Sequence, residues 1–225
     1  MPNSLNDPKI ARVLDRLHAQ ARWDWLVFAR ALPSVLWGGL KGRSAVESAI
    51  PFLKDAYIPI DAAQGRALYA MARAANAKTI VEFGTSFGIS AIYLAAAVRD
   101  NGGRFVGTEL EPAKAAKARA HLAEAGLANV ADVLQGDARE TLKSVTGRID
   151  LLLLDGLKDL CLPVLRQIES QIPPGGVILC DDISGFKRTL KPYLDYVRGA
   201  PEKYVSQLLP LGDGLEYSVF IGERT

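Results

Sequence analysis

The 225-residue chain is sparing with cysteine, with net charge and with long apolar runs. Its two cysteines, Cys161 and Cys180, sit inside the apolar stretches LCLPVL and VILCDD. That pattern reads as buried, reduced thiols in a reducing compartment rather than as a disulfide framework. Lys and Arg number 27 against 25 Asp and Glu, a formal charge of +2. This is too small to point to nucleic acid or an anionic membrane as partner. The most apolar early stretch, residues 25–40, is interrupted by Arg30 and Pro33 and is too short and broken to span a bilayer. The opening MPNSLNDPKIAR lacks the early apolar run of a signal peptide, so the expected location is cytoplasmic. Internal repeats and low-complexity segments are absent. What is present is 49% hydrophobic and 23% charged residues, ordinary globular composition with ample material for one core and a modest extension.

The chain is organised around TIVEFGTSFGIS at 79–90. A short apolar strand through Ile80 and Val81 runs into Glu82 and a turn bracketed by Gly84 and Gly88, after which an apolar helix begins. Helix N-termini carry unsatisfied N–H groups, so the turn reads as a site for an anionic ligand group, with the glycines permitting close backbone approach. The spacing is E-x-G-x-x-x-G, not the G-x-G-x-x-G of dinucleotide binding, which points to a ligand without a pyrophosphate. A plain tight turn between strand and helix is the bland alternative.

From residue 79 strands and helices alternate. Strands are predicted at 79–83, 104–108, 130–134, 149–154 and 176–180, and helices at 88–99, 112–125, 138–144, 158–171 and 187–198. This order predicts an α/β fold with a parallel sheet covered on both faces. The run IDLLLL at 149–154 has the continuous apolarity of a central strand. Segments 204–209 and 215–221, joined by PLGDG, read as a hairpin that ends the sheet with an antiparallel strand. Asp61-x-x-Gln64 resembles a capping box opening an earlier helix. Residues 1–56 read as several short helices, starting from the cap Asp7-Pro8 and the stripe Ile10, Val13, Leu14, Leu17, Ala21 and Phe28. Trp23, Trp25, Phe28 and Trp37 concentrate aromatic surface there, either packing on the main domain or walling a pocket as a lid. His18 and His121 have no ligand-like neighbour in sequence and receive no role.

In open α/β sheets, ligands bind beyond the carboxyl ends of the strands. The acids of this chain fall at those ends: Glu82, Glu109, Asp137, Asp155 and the pair Asp181-Asp182. Solvated loop acids would account for any one of them, but not readily for five strand ends in succession. Glu109 ends the second strand, where a carboxylate accepts from both hydroxyls of a ribose. Asp137, in QGDA, is placed to accept from an adenine amino group, and Ser90 to donate to a small carboxylate. A nucleoside with a carboxylate-bearing tail and no phosphates describes S-adenosylmethionine. Asp155, Asp181 and Asp182 follow the two most apolar strands. Two carboxylates about 5 Å apart repel by about 3 kcal/mol at an effective dielectric near 20. A hard divalent cation such as Mg2+ offsets that repulsion, and Mn2+ or Ca2+ would serve equally. Lys158, within one turn of Asp155, is then placed as a general base if nearby positive charge and burial lower its pKa. A surface lysine opening a helix is the plain alternative.

Four segments, VEFGTSFGIS, GTELEP, LLLLDGLKD with ILCDDI, and GDGLE, give residues 57–221 a resemblance to the catechol-type, metal-dependent, S-adenosylmethionine-dependent O-methyltransferases. The bacterial small-molecule members of that family are the most similar. The resemblance implies the Rossmann-like, doubly wound, mostly parallel sheet of the class I methyltransferases over residues 57–225, with residues 1–56 as a helical extension that shapes the substrate pocket. It implies that Glu82, Gly84 and Ser90 hold the methionine part of the cofactor, with the backbone near Ile60 closing over it. Glu109 would bind the ribose, while Asp137 and Ala138 would border the adenine. Asp155, Asp181 and Asp182 would bind the metal, and Lys158 would take the substrate hydroxyl's proton. Glu216, in DGLE, would hydrogen-bond the neighbouring hydroxyl. The implied partner is a small hydroxylated substrate, with a homodimer through the N-terminal helices by analogy. Two positions depart from the family pattern: Asp182 stands where asparagine is frequent, and Leu157 where an aromatic commonly stacks on the adenine. A metal-independent methyltransferase, a nicotinamide-dependent oxidoreductase and a non-catalytic binding protein on the same fold are the competing readings.

Overall fold

The computed structural model describes residues 2–21 and 60–222. The expected aromatic lid at Trp23, Trp25, Phe28 and Trp37 lies outside the described residues. Helix α1, Pro8–Ala21, starts where Asp7 accepts from the Lys9 N–H at 2.9 Å, as the Asp-Pro pair predicts. It buries Ile10, Val13, Leu14, Leu17 and Ala21, the expected stripe up to the last described residue. Helix α2, Ala62–Ala74, is capped by Asp61, which accepts from the Gln64 N–H at 2.7 Å.

The alternating region then follows as β1 (Thr79–Phe83), α3 (Ile89–Asn101), β2 (Arg104–Glu109), α4 (Pro112–Glu124), β3 (Ala131–Gln135) and α5 (Ala138–Thr141). After these come β4 (Leu151–Leu154), α6 (Cys161–Ile168), β5 (Val177–Cys180) and α7 (Lys191–Gly199). The hairpin strands β6 (Tyr204–Leu209) and β7 (Leu215–Phe220) close the chain. Every expected element from residue 61 onward is present. The helix expected over 158–171 is regular α-helix only in its middle, with a 3-10 turn at each end, Lys158–Leu160 and Glu169–Gln171.

Seven strands form one sheet in the order β3-β2-β1-β4-β5-β7-β6. The first five are parallel, whereas β7 runs antiparallel to β5 and β6 antiparallel to β7. Connections lead outward to β2 and β3 on one side and return to β4 on the other, so the crossover point lies between β1 and β4. That is where ligands of open α/β sheets bind. The pleat sends alternate residues to opposite faces. Ile80, Phe105, Leu151, Leu153 and Leu179 pack with α1, α2, α3 and α4. Val81, Phe83, Leu152, Leu154, Ile178 and Cys180 pack with α5, α6 and α7 on the other face. Each side chain of β4 is buried, which explains the uninterrupted leucines.

The N-terminal segment is tied to this body through Asp100. Its carboxylate accepts from the Ser4 N–H at 2.8 Å, the Ser4 hydroxyl and the Tyr69 hydroxyl at 2.6 Å, and it pairs with Arg73 at 3.1 Å. Helices α2 and α3 approach closely at Gly65, where an added Cβ would lie 2.2 Å from the Tyr93 ring. The Gly65→Ala variant is therefore expected to lose about 1–3 kcal/mol of stability through overpacking, read as a lower midpoint in urea denaturation.

Candidate active site

The parallel register carries the strand-ending residues to one level. Phe83 pairs with Leu154, and Leu154 with Cys180, so Gly84, Asp155 and Asp181 are the next residues on three adjacent strands. Two backbone bonds continue the ladders past the strand ends: Asp155 N–H to Phe83 carbonyl at 2.8 Å and Asp181 N–H to Leu154 carbonyl at 3.1 Å. Glu109 pairs with Gln135 at the ends of β2 and β3, and Asp137 follows two residues later. The hairpin loop is stitched to the same rim, its Asp213 and Gly214 carbonyls accepting from the Ser184 and Ile183 N–H groups.

Glu82 lies on β1 between Val81 and Phe83, facing the α3 side, and is fully buried. Burial pushes its pKa up to about 8, against the pull of the Ser90 and Thr85 hydroxyls nearby. Among the described residues neither carboxylate oxygen completes a well-directed hydrogen bond. A buried carboxylate without a donor is costly, and it fits a cationic ligand group such as the amino group of an amino-acid tail. Ser90, buried in the first turn of α3, borders it. Glu109 is half-buried and oriented by the backbone, accepting from the Ser86 N–H at 2.7 Å and the Glu111 N–H at 2.8 Å. Each of its oxygens keeps a lone pair for a hydroxyl donor. Ile60 and Ala138 are buried apolar residues.

The turn itself differs from expectation. The N–H groups of Gly84 and Thr85 both donate to the Thr108 carbonyl, Ser86 to Glu109, and Gly88 to the Thr85 carbonyl. These donors are already used, so they do not form an anion cradle. Gly84, at φ +92, is required because a Cβ would lie 2.4 Å from the Gly156 backbone. Gly88, at φ +88, lets α3 pack on Ala118 of α4. The glycines bring protein segments together on the side where a Cβ would stand. Asp137 is also engaged otherwise: it caps α5 by accepting from the Arg139 N–H at 2.9 Å and pairs with the Arg139 guanidinium. These contacts hold its pKa down at about 2.

The three aspartates lie close together, and the charge of Asp182 helps to raise the pKa of both Asp155 and Asp181. Burial, then Asp155 and Asp182, push Asp181 up to about 7. Burial also raises Asp155, with Asp182 adding to the shift and Lys158 opposing it. Lys158 Nζ sits between two of them, 2.9 Å from Asp155 Oδ1 and 2.9 Å from Asp182 Oδ2. Burial alone would lower its pKa, but the two carboxylates outweigh that and hold the ammonium far above its ordinary range. This corrects the expectation of a lysine with a depressed pKa, because its immediate neighbours are anions. Among the described residues no group of three acidic, histidine or cysteine side chains converges in metal-ligand geometry. Carboxylate oxygens are the ligand type that a hard divalent cation takes, but the Lys158 ammonium already pairs two of the three. Asp182 adopts φ +63, a left-handed conformation that asparagine and aspartate tolerate best among residues with a Cβ. This accounts for the choice between those two residue types at the position.

Glu216 corrects the expectation of a substrate contact. It is fully buried, accepts from Arg198 Nε at 2.7 Å and from the Ser206 hydroxyl at 2.7 Å, and ties α7 to the hairpin. Leu215 beside it packs on the α1–α4 face, so the pleat sends Glu216 to the opposite side, under α7. Leu157, 53% exposed, leaves the rim without an aromatic wall at that position. His18 hydrogen-bonds the Tyr93 hydroxyl at 3.1 Å, and His121 donates to the Phe87 carbonyl at 2.9 Å. One residue at the rim that spacing did not single out for the site is Gln64. Its expected capping role is half right. Asp61 caps its N–H, but its side chain reaches away to Asp181, with Nε2 2.7 Å from Oδ2.

For Glu82 the sign of the pH dependence follows directly. Between its ordinary value of 4.5 and about 8 the folded state holds a proton that the unfolded state has lost, so stability falls as pH rises through that window. Glu82→Gln is expected to stabilise the ligand-free protein at pH 8, by about 1–3 kcal/mol, and to flatten the decline. Urea denaturation at pH 5.5 and 8 checks this.

Comparison with known proteins agrees with this geometry. A family model described as "Methyltransferase domain" matches residues 81–183. The chain is 31% identical over 153 residues to the catechol O-methyltransferase of Mycobacterium tuberculosis, an alignment covering 68% of this chain and 69% of that protein. The solved structure of the O-methyltransferase TomG from Streptomyces achromogenes, in complex with S-adenosylmethionine, is 25% identical with a TM-score of 0.66. That likeness covers 73% of this chain and 82% of TomG. An O-methyltransferase from Bacillus cereus in complex with S-adenosylhomocysteine shares the fold at 20% identity and a TM-score of 0.67, over 85% of this chain and 90% of the other. A sheet with its crossover between β1 and β4 and these relatives agree: the chain belongs to the class I S-adenosylmethionine-dependent O-methyltransferases.

Proposed function

We propose that this O-methyltransferase acts on a small hydroxylated aromatic, catechol-like molecule and uses a divalent cation, Mg2+ or another hard ion such as Mn2+ or Ca2+, held by Asp155, Asp181 and Asp182. The observation that carries the reading is the cluster of these three carboxylates with Lys158, one strand across the rim from the orphaned Glu82. Similarity to a catechol O-methyltransferase supports the substrate class. A bound divalent ion would supply a Lewis acid that lowers the pKa of a phenolic oxygen.

The chain's own part begins with binding. Glu82 receives the amino group of the cofactor tail, Ser90 its carboxylate, Glu109 the ribose hydroxyls, and Ala138 borders the adenine. Glu109 is already set by two backbone N–H groups, so ribose binding needs no reorganisation of that side chain. S-adenosylmethionine, when bound, would supply an electrophilic methyl group on sulfur, transferred to the substrate oxygen as the carbon–sulfur bond breaks to give S-adenosylhomocysteine. Lys158 would take the proton of that oxygen only as the neutral amine, after its ammonium has given its own proton to solvent, a state that Asp155 and Asp182 oppose until a cation occupies their carboxylates. Those two carboxylates therefore decide whether the amine is a base or a counter-ion. Nothing in this reading requires nucleic acid, and no described helix is long and apolar enough to cross a membrane.

A second reading, metal-independent methyl transfer, has one observation behind it: the Lys158 ammonium already neutralises Asp155 and Asp182. Methyl transfer from labelled S-adenosylmethionine to a panel of catechols and hydroxylated aromatic acids, with and without excess EDTA, separates the two. The metal reading expects at least about a 100-fold loss on chelation, reversed by added Mg2+. Undiminished transfer in EDTA overturns it. Lys158→Ala is expected to lower turnover by about 100-fold or more while cofactor affinity by calorimetry stays near that of the unmodified protein. Turnover at the unmodified rate would remove Lys158 as the base.

A further inference from the structure

Gln64 is a buried amide, 3% exposed, in the first turn of α2, and its side chain leaves its own helix. Nε2 donates to Asp181 Oδ2 at 2.7 Å in a buried contact spanning 117 residues of sequence. The other oxygen of the same carboxylate accepts from the Asp182 N–H at 2.9 Å. Both Asp181 oxygens are thus fixed by neutral donors, and each keeps a lone pair. The remaining end of the amide is also located. Gly212, at φ +53 in the hairpin loop, lies so close that a Cβ there would be 2.5 Å from Gln64 Oε1. A carboxylate oxygen is satisfied only by the NH2 end of an amide, so this packing keeps that end turned toward Asp181.

Resting on the metal reading above, we propose that Gln64 is a positioning residue for the cation site. It holds Asp181 in place by a neutral hydrogen bond, and the hairpin loop holds Gln64. A lysine or arginine in this role would neutralise Asp181 and compete with a cation, as Lys158 does at Asp155 and Asp182. An amide orients the carboxylate while leaving its charge available. The same residue belongs to the first turn of α2, four positions after Ile60, so the cofactor-side helix and the acid ending β5 are mechanically joined.

The test titrates Mn2+, alone, into the full chain by calorimetry or by electron paramagnetic resonance. Three proteins are compared: unmodified, Gln64→Met and Gly212→Ala. Methionine matches the length of glutamine without a donor, while Gly212→Ala disturbs the amide from the hairpin side without touching Asp181. The expectation is about a tenfold weaker Mn2+ affinity for Gln64→Met and a smaller loss for Gly212→Ala. S-adenosylhomocysteine affinity is expected to be unchanged. In turnover assays the Mg2+ concentration for half-maximal rate rises, while the rate at saturating Mg2+ stays within about twofold. Unmodified Mn2+ affinity in both variants overturns the role of Gln64 and leaves the metal reading intact. If Gln64→Met does not fold, unmodified affinity in Gly212→Ala overturns the role by itself. Absence of Mn2+ binding by the unmodified protein overturns the metal reading and this role together.

Discussion

Negative charge held at low dielectric along the edge of a parallel sheet is the constraint around which the rest of this molecule is arranged. Strand register places Asp155 and Asp181 side by side, and the β1 pleat buries Glu82 one strand away. Isolated buried carboxylates shift toward the protonated form, as Glu82 and Asp181 do, with pKa values of about 8 and about 7. Among the described residues only part of this strain is relieved: Lys158 answers two of the aspartates, Gln64 orients the third, and Glu82 completes no well-directed hydrogen bond. Cationic ligand groups have the most to gain at such a rim. The amino group of S-adenosylmethionine is one.

The platform under the rim is stiff because it is closed on both faces. Two apolar layers clamp the sheet, and β4, buried along its whole length, is the strand about which they balance. The glycines of the β1–α3 turn serve that same stiffness. Gly84 admits the Gly156 backbone and Gly88 admits α4, so the segments bearing Glu82, Asp155 and Glu109 are locked to one another before any ligand arrives. Pre-set geometry of this kind lowers the ordering cost of binding. At the far edge, Glu216 and Arg198 anchor the hairpin to α7, and through Asp213 and Gly214 the hairpin loop steadies the residues just after Asp182.

Membership in the O-methyltransferases thus has a physical reading beyond similarity. The crossover between β1 and β4 places Glu82 and Glu109 on one side of the rim and the aspartates with Lys158 on the other, the division of labour between cofactor and reacting oxygen that the proposed function assigns. The departures from the family pattern fall where the rim meets solvent. Leu157 is exposed, and Asp182, in a left-handed conformation, adds a third carboxylate. The more anionic site that results is balanced in this structure by Lys158.

Much of this was legible in the residues. Alternating apolar patterns located each strand from 79 onward to within two residues, because period and burial are local consequences of sequence. The placement of acids at strand ends was legible for the same reason, since strand boundaries fix which residues meet the rim. Side-chain partnership was not. Whether Glu216 faced substrate or α7, whether Gln64 capped its own helix or crossed to Asp181, and whether Gly84 made room for a ligand or for Gly156 each depended on which distant segment packed alongside. The sequence by itself determined the order of elements, the sheet and the ring of acids. Tertiary packing alone decided which acids stay unanswered, because a charge's partner is set by distance in space and not by distance along the chain.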